Sequence, residues 1–411
     1  MIIQKLIVFK EKNLHIKDHY HSTVIERQLT HNTELLQIRA AILLYIVGST
    51  TIFGAIFFVG GMITELGFSQ TQANFVASAE IAGIALASLM GIFWINLLDW
   101  RKVAVFALLA VFVGNLISSF VDNLEWMLLI RFLTGFLGHG TVTALGVAIL
   151  GSTSNPDRNF GLNNATNLII AALTALLIPI TMNRFGMIGY FIFPMVLSIP
   201  ALLLNTRLQT VKKSIAEDNK ISSTLPFLFL PIAGMFVMIM HQMAHGPLWV
   251  RFVPFGASVG LDAADVGIAL SIAYGISFIG PLAAAALASR MGRNIPVLLA
   301  LTVQFFVVIS FQGQMEWIGF AVRVIVFQIF WGFGTTFIMG MVANADKTGR
   351  YTVLLPAAQS GGLSLALAMS AFFVQGYGPG VISYLCAAAL VATALAFVLV
   401  SRKTVAINNT I

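Results

Sequence analysis

Charge is what this sequence has least of. Asp, Glu, Lys and Arg make up 9% of its 411 residues, and apolar residues 58%. A soluble domain carries roughly 25% and 45–50% respectively. A water-soluble globule of this length could not cover so much apolar surface with so few charges. Cysteine is nearly absent: the single Cys386 excludes a disulfide framework and a thiolate metal site. No polar segment carries a Gly-rich loop ending in Lys-Ser/Thr, so nucleotide hydrolysis is not the expected energy source. No Cys/His cluster or nucleophile elbow appears, so no catalytic residues, metal or cofactor are expected. Period-two alternation is also lacking, which argues against a membrane β-barrel. The first 38 residues have no apolar core followed by a cleavage site, so they do not read as a signal peptide.

What the chain does have is long apolar runs of about 18–25 residues, the length that spans a bilayer as a helix. Twelve are read, at roughly 40–62, 73–98, 103–121, 125–150, 160–182, 186–205, 226–248, 263–288, 295–313, 317–343, 352–375 and 379–401. An even number of spans puts both termini on one side. Of 23 Lys and Arg residues, nineteen fall on that terminal side, among them Arg101, Lys102, Arg158, Arg290, Arg293 and Lys347. Only Arg184 and Arg251 fall on the other side, and Arg131 and Arg323 lie inside runs. The positive-inside rule then places both termini in the cytoplasm. The net charge of +7 is therefore topology, and gives no support to a nucleic-acid partner. The polar N-terminus holds His15, His19, His21 and His31. It reads as a loosely ordered tail, with a metal-binding tail or an over-long start as alternatives.

The chain repeats itself in parallel order. Glu125-Trp126 precedes a run containing Arg131, and Glu316-Trp317 precedes a run containing Arg323. The break at Asp99 has a counterpart at Ser289, and Asp157 has one at Asp346. The offsets are 191, 190 and 189 residues for Glu125 to Glu316, Asp99 to Ser289 and Asp157 to Asp346. Such duplication in membrane proteins builds a site between two halves that rock against each other. The expected organisation is a tail (1–38), a six-helix bundle (39–205), a linker (206–225), a second bundle (226–401) and a short tail (402–411).

The stretch from Ala285 through Ser289, Arg290, Gly292 and Arg293 to Asn294 resembles the cytoplasmic signature of the major facilitator superfamily, G-x-L-a-D-R-x-G-R-[KR]. Ile95 to Lys102 is a shortened copy, and Arg131-Phe-Leu-Thr-Gly135-Phe-Leu-Gly138 looks like the family's fourth-helix pattern R-x-x-x-G-x-x-G. The resemblance covers about residues 40–403 and is strongest toward bacterial members of unassigned substrate. It implies an all-α membrane protein of twelve spanning helices that works by alternating access. The family's gate would fall on Asp99, Arg101, Lys102, Asp157, Arg158, Ser289, Arg290, Gly292, Arg293, Asp346 and Lys347. The signature's Gly and Asp are missing from the second half, where Ala285 and Ser289 stand. Only Asp99 can fill the Asp role, so an asymmetric gate is expected. The fifth run lacks the G-P-x-x-G-G pattern of drug/proton antiporters, which lowers efflux relative to uptake.

Three charges lie inside runs: Glu80, Arg131 and Arg323, each roughly 8–12 Å below the outer boundary at 1.5 Å per residue. A charge there costs a few kcal/mol and should find a partner or a water-filled cavity. Glu80 reads as a proton-coupling carboxylate with Arg131 as partner; a fixed structural pair fits the same placement. Arg323 has no evident acid and suggests an anionic substrate; a snorkel to the interface is the alternative. His241 and His245 share a helix face. With His139, Gln328, Gln359, Tyr45, Asn163 and Asn167 they are candidate cavity residues, and each alone is as readily helix–helix glue.

These features together lead to a secondary transporter in the bacterial inner membrane. The expected activity is proton-coupled uptake of a small organic solute, leaning to an organic anion, with the proton gradient as its energy source. Its partners would be the solute and the lipid bilayer, and a monomer would suffice. Export of a drug or metabolite is the runner-up, followed by a non-transporting sensor on the same fold.

Overall fold

The computed structural model describes residues 33–55, 57–205, 208, 225–249, 251–252, 255–256, 259–261, 263–288, 290–313, 315–346, 349–377 and 380–408. Residues 1–32 of the polar tail, most of the linker, Ser289 and Lys347 lie outside the described residues, and α1 begins at Thr33, within the stretch expected as tail. Those described are helical and contain no strand. In chain order the helices are α1 (Thr33–Ala55, continued over 57–64), α2 (Gln70–Trp94), α3 (Trp100–Ser118), α4 (Leu124–Gly151), α5 (Pro156–Phe185) and α6 (Met187–Asn205). The second series is α7 (Leu225–Trp249), α8 (Ala263–Ser277 and Ile279–Leu287), α9 (Asn294–Ser310), α10 (Trp317–Ala345), α11 (Leu355–Tyr377) and α12 (Val381–Asn408). Nine helices among the described residues are long and apolar enough to cross a bilayer.

Local sequence explains where these helices start and bend. Ser69 and Gln72 form a reciprocal capping box on α2, and Asp99, Asn123 and Asn155 cap α3, α4 and α5 through their side-chain oxygens. Pro156 occupies the first turn of α5, where no backbone donor is needed. Gly186 turns the chain from α5 into α6 at φ +60, a left-handed conformation that glycine adopts without strain. Within α4, Thr134–Gly140 winds as a π-helix. Such widened turns cluster at functional sites. The break in α8 falls at Phe278, three residues before Pro281, which can neither donate to the preceding turn nor fit against it.

Helix pairs meet along seams of small residues, as expected where lipid removes most of the drive for apolar contact between helices. In the first series, Gly83 and Gly140 seat α2 on α4, and Gly138 seats α4 on Val111 of α3. Gly280 presses against the carbonyl of Ile329, and Gly362 against that of Ile239, joining α8 to α10 and α11 to α7.

The two series are not joined equally at both ends. One apolar core runs through the second series and continues into the ends of α1, α3, α4, α5 and α6 nearest the linker. A separate core, built from Phe58, Met62, Phe68, Met127, Met187, Tyr190 and Phe191 among others, fills the far end of the first series and contains no residue of the second. Among the described residues, the shared core thus joins the two series at the linker face, and the core at the far end of the first series takes nothing from the second.

Candidate functional site

The deepest charges form one cluster in the far half of the first series. Glu80 on α2 and Arg131 and His139 on α4 are 0–1% exposed, as is Asn115 on α3. Arg131 Nε donates to Glu80 Oε2 at 3.1 Å, and Nη2 donates to Oε1, which makes the pair a two-pronged fork. Arg131 Nη1 donates to Asn115 Oδ1 at 3.0 Å and to Ser118 Oγ at 3.3 Å. The rings of Phe58 and Phe191 flank the guanidinium at 5.3 and 5.4 Å. Both ions are thus paired, hydrogen-bonded and capped by aromatic faces, which is what a low-dielectric setting demands of a buried ion pair. Gly135 makes the pairing possible. It lies one turn past Arg131, and a Cβ there would strike the backbone carbonyl of Glu80.

His139 completes the cluster from within the π-helical turn. Its Nδ1 faces the carbonyl of Val47 at 3.0 Å, and a carbonyl only accepts, so Nδ1 carries the proton in the neutral ring. Nε2 then presents a lone pair toward Asn115 Nδ2 at 3.4 Å and toward Glu80 Oε1 at 3.7 Å. A tight cleft reaches this cluster between Thr50, Thr51, Ile178, Tyr190, Phe193 and Pro194.

In the second series, Arg323 occupies the position 192 residues after Arg131, and its partner Ser310 stands 192 residues after Ser118. Arg323 Nε donates to Ser310 Oγ at 3.0 Å and Nη1 to the Gly319 carbonyl at 2.8 Å. No acid pairs with it among the described residues, and its side chain is part-exposed. His241 and His245 are fully buried inside the second series. His245 Nδ1 donates to the His241 carbonyl at 2.5 Å, and its ring stacks on Trp331 at 5.2 Å and 8°. His241 Nε2 lies 3.2 Å from Thr335 Oγ1, and Trp331 Nε1 donates to Gln242 Oε1 at 2.9 Å. Gln328 is buried on α10.

The remaining cavity candidates lie nearer the linker face. Tyr45 is buried in the shared core, and Asn167 accepts from Ser49 at 2.5 Å. Asn163 is buried and donates to Asn164, which donates across to Thr336 on α10 at 3.2 Å. Gln359 on α11 reaches the sulfur of Met339, at 3.9 Å.

At the linker face, an ion pair among the described residues bridges the halves. Arg293 Nε and Nη2 donate to the Asp157 carboxylate at 2.9, 3.1 and 2.7 Å, and Asn344 adds a contact at 3.4 Å. The carboxylate sits over Gly340, where any Cβ would overlap it. Beside it, Ser88 donates to the Val353 carbonyl at 2.7 Å, and Arg350 to that of Ile92 at 2.9 Å. Asp99, expected as the gate acid, instead caps α3 through Arg101 N at 2.9 Å. Arg101 donates to the Leu208 carbonyl at the start of the linker and not to the other half. Asp346 accepts from Tyr351 N, Thr352 N and Thr352 Oγ1 at 2.7–2.8 Å, which orders the turn into α11. Lys102, Arg158 and Arg290 are exposed, and Gly292 turns the α8–α9 loop at φ +62.

Sequence reasoning missed Asn115, Ser118, Gln242 and Trp331. Asn115 had a readable signal, as the one amide in an otherwise apolar third run. Among the described residues no group of three or more His, Cys, Asp or Glu could hold a metal.

Comparison with known proteins supplies the frame for this geometry. The family model described as Major Facilitator Superfamily matches residues 41–345. No curated protein sequence matches the chain. Among solved structures, the chain is similar to the proton:xylose symporter XylE bound to 6-bromo-6-deoxy-D-glucose, with TM-score 0.70 and 13% identity over 88% of this chain and 94% of that one. It is also similar to a bacterial homologue of the iron transporter ferroportin in the outward-facing state, with TM-score 0.67 and 14% identity over 90% and 99%. The human organic anion transporter MFSD10 gives TM-score 0.70 and 11% identity over 88% and 99%. At these identities the likeness concerns the fold.

Proposed function

This chain belongs to the major facilitator superfamily, a family of multi-pass membrane transporters, and we propose that it takes up a small organic solute together with protons. The observation that carries the reading is the Glu80–Arg131 fork, a fully buried ion pair joining two helices of one half. Removing the carboxylate's charge by protonation takes away what holds Arg131, so proton binding and helix packing are physically linked. Alternating access needs such a link, because a proton moves solute only if it biases two states differently.

The sidedness of the reading follows from charge. With the basic loops in the cytoplasm, the closed linker face is cytoplasmic and the separated far face is outward-facing. The Asp157–Arg293 bridge is then the cytoplasmic gate of this state. We place the division of the chain into two bundles within 206–225, and the protein as a monomer in the bacterial inner membrane.

The substrate is proposed as an organic anion such as a carboxylate. Support comes from Arg323, a part-exposed guanidinium whose Nη2 makes no hydrogen bond among the described residues. A neutral polar solute is the second reading, favoured by the uncharged polar groups Gln242, Trp331, Gln359, Asn164 and Asn167 around the junction of the halves.

Flux into proteoliposomes under an imposed proton gradient, read by an internal pH dye against a panel of carboxylates and neutral polyols, tests both readings. Solute-dependent acidification is expected, lost in Glu80→Gln while solute exchange persists. Counterflow of a solute with no proton movement would overturn the coupling. Accumulation of polyols alone would remove the anion. Greater tolerance to toxic compounds in a pump-deficient host would reverse the direction to export.

A further inference from the structure

We propose that α7, α9 and α10 hold a buried water molecule that bridges the His245 imidazole to the Gln304 amide, and that this water fixes the Trp331 indole at the junction of the halves. His241, His245 and Gln304 are 0% exposed. Among the described residues, His241 Nδ1, His245 Nε2 and both amide atoms of Gln304 have no hydrogen-bond partner. Buried polar groups are almost always paired, with protein or with ordered water. The two rings lie 4.3 Å apart, centre to centre, so the orphaned atoms form one group.

The chemistry of the group selects the ligand. His245 Nδ1 donates to the His241 carbonyl, so Nε2 is a bare lone pair that needs a donor. Gln304 on α9 lies close enough to act on this ring, yet outside hydrogen-bond geometry. Its amide needs a donor for Oε1 and an acceptor for Nε2–H. Water supplies both. A cation would meet only the lone pairs and would strand the Gln304 N–H, and no acid stands among His241, His245, Gln304, Trp331 and Thr335 to balance its charge. Room comes from Gly334 on α10. A Cβ there would stand 3.2 Å from His241 Cε1 and 3.6 Å from the Cβ of Ala300, one turn before Gln304. With no side chain at Gly334, the three helices leave space for about one water.

The duplication shows what the water stands in for. Trp331 and Thr335 lie 192 residues after His139 and Thr143, so this seam of α7 and α10 matches the seam of α1 and α4. In the first half the amide of Asn115 on α3 bonds Arg131 and meets His139 Nε2 at 3.4 Å. In the second half the amide is Gln304 on α9, and water makes the link that Asn115 makes directly. What the link positions is Trp331. The His245 ring stacks on the part-exposed indole at 5.2 Å and 8°, and Trp331 Nε1 donates to Gln242 Oε1 at 2.9 Å. With Nδ1 and Nε2 both held, the imidazole plane cannot turn, and the indole is held with it. His245 and Gln304 are thus positioning residues for the Trp331–Gln242 pair.

The direct test is a density map of the full-length wild-type protein, fine enough to resolve bound water. A peak within hydrogen-bond distance of both His245 Nε2 and the Gln304 amide is expected. An amide turned straight onto the ring, with no peak between them, overturns the water. A double-mutant cycle gives the second test. Gln304→Leu strips one partner from the water and should lower the melting temperature by about 2–4 °C. His245→Phe keeps the stack on Trp331 and should do the same, and the double variant should lose less than the sum of the two. A rise in melting temperature in Gln304→Leu would mean that its amide had no partner to lose, against the proposal. The positioning role is read from Trp331 emission, taken as the difference between each protein and its Trp331→Phe counterpart, since the chain has six tryptophans. Gln304→Leu should shift that emission. An unchanged Trp331 signal in a folded Gln304→Leu protein would overturn the positioning role.

Discussion

Arg131 and Arg323 occupy matching places in a duplicated chain, and the two halves treat them oppositely. Each follows a Glu-Trp pair, and each bonds a serine thirteen residues earlier. Arg131 is fully buried and held by Glu80, Asn115 and two phenylalanine rings. Arg323 is part-exposed and folded back onto its own helix. Each half carries one arginine at the matching position, and among the described residues only the first half's is paired with an acid. The lesson is a difference in commitment: the first half holds a closed, charge-balanced pair, and the second keeps a part-exposed cation bonded only to neutral groups among the described residues.

The sharpest way to break the comparison is to remove each partner. Glu80→Ala leaves Arg131 as a buried, unpaired cation and should destabilise the protein by about 3–5 kcal/mol. Arg323→Gln removes no ion pair and should change stability by less than about 1 kcal/mol. Thermal unfolding of both variants in detergent decides the matter. Equal losses would mean that Arg323 is as structurally committed as Arg131 and that the halves do not differ.

Next in size is the packing that permits the pair. Gly135 lies against the Glu80 carbonyl, while Phe327 stands 192 residues later, fully buried against His245 and Trp331. Gly135→Val forces α2 and α4 apart and should cost about 1–3 kcal/mol by overpacking. The same variant should lose proton coupling, because the helix separation stretches the fork. A Gly135→Val protein with wild-type melting and flux would show that the close approach is incidental.

How much of this was legible in the sequence varies with what each feature depends on. The helices were readable because apolar run length depends on the bilayer and not on neighbours. The duplication was readable because Glu125, Glu316, Arg131 and Arg323 are rare residues at a near-constant offset. Glu80 and Arg131 could be suggested as partners, since charges at one depth have few other places to go. The gate was less readable. Asp157 and Arg293 both stood among the residues expected at the gate, but the signature put the acid's role on Asp99, which caps its own helix, while the ion pair that crosses the halves joins Asp157 to Arg293. Which loops touch is set by how two bundles close, and no local pattern encodes that. The histidines show the same limit: helical spacing put His241 and His245 on one face, but not which side that face presents, and they lie inside the bundle against Trp331. The π-helical turn left only its glycines as a trace.

The gate gives a smaller, more selective prediction. Asp157→Asn keeps the shape of the side chain and loses the charge, whereas Gly340→Ala keeps the charge and fills its seat. Each should weaken closure by about 1 kcal/mol, roughly a fivefold shift in population toward an open linker face. Spin labels at the exposed Arg158 and Arg290, one in each half, would report this as a longer distance component. A shift in Asp157→Asn alone would assign the gate to charge. A shift in Gly340→Ala alone would assign it to fit.

The smallest expected effect comes from making the halves alike. Ser310→Asp places a carboxylate where a hydroxyl now accepts from Arg323 Nε at 3.0 Å. The new pair is part-exposed, so it should stabilise by no more than about 0.5–1 kcal/mol. Its consequence for transport should be larger than for stability, because it neutralises the one cation proposed to attract an anionic solute. Carboxylate uptake should fall several-fold while uptake of a neutral polyol, where there is any, stays as it was. If Ser310→Asp leaves carboxylate uptake unchanged, Arg323 does not select the solute. Its spare donors then serve only the membrane interface, and the uncharged group around Gln242 and Trp331 becomes the place where the solute is recognised.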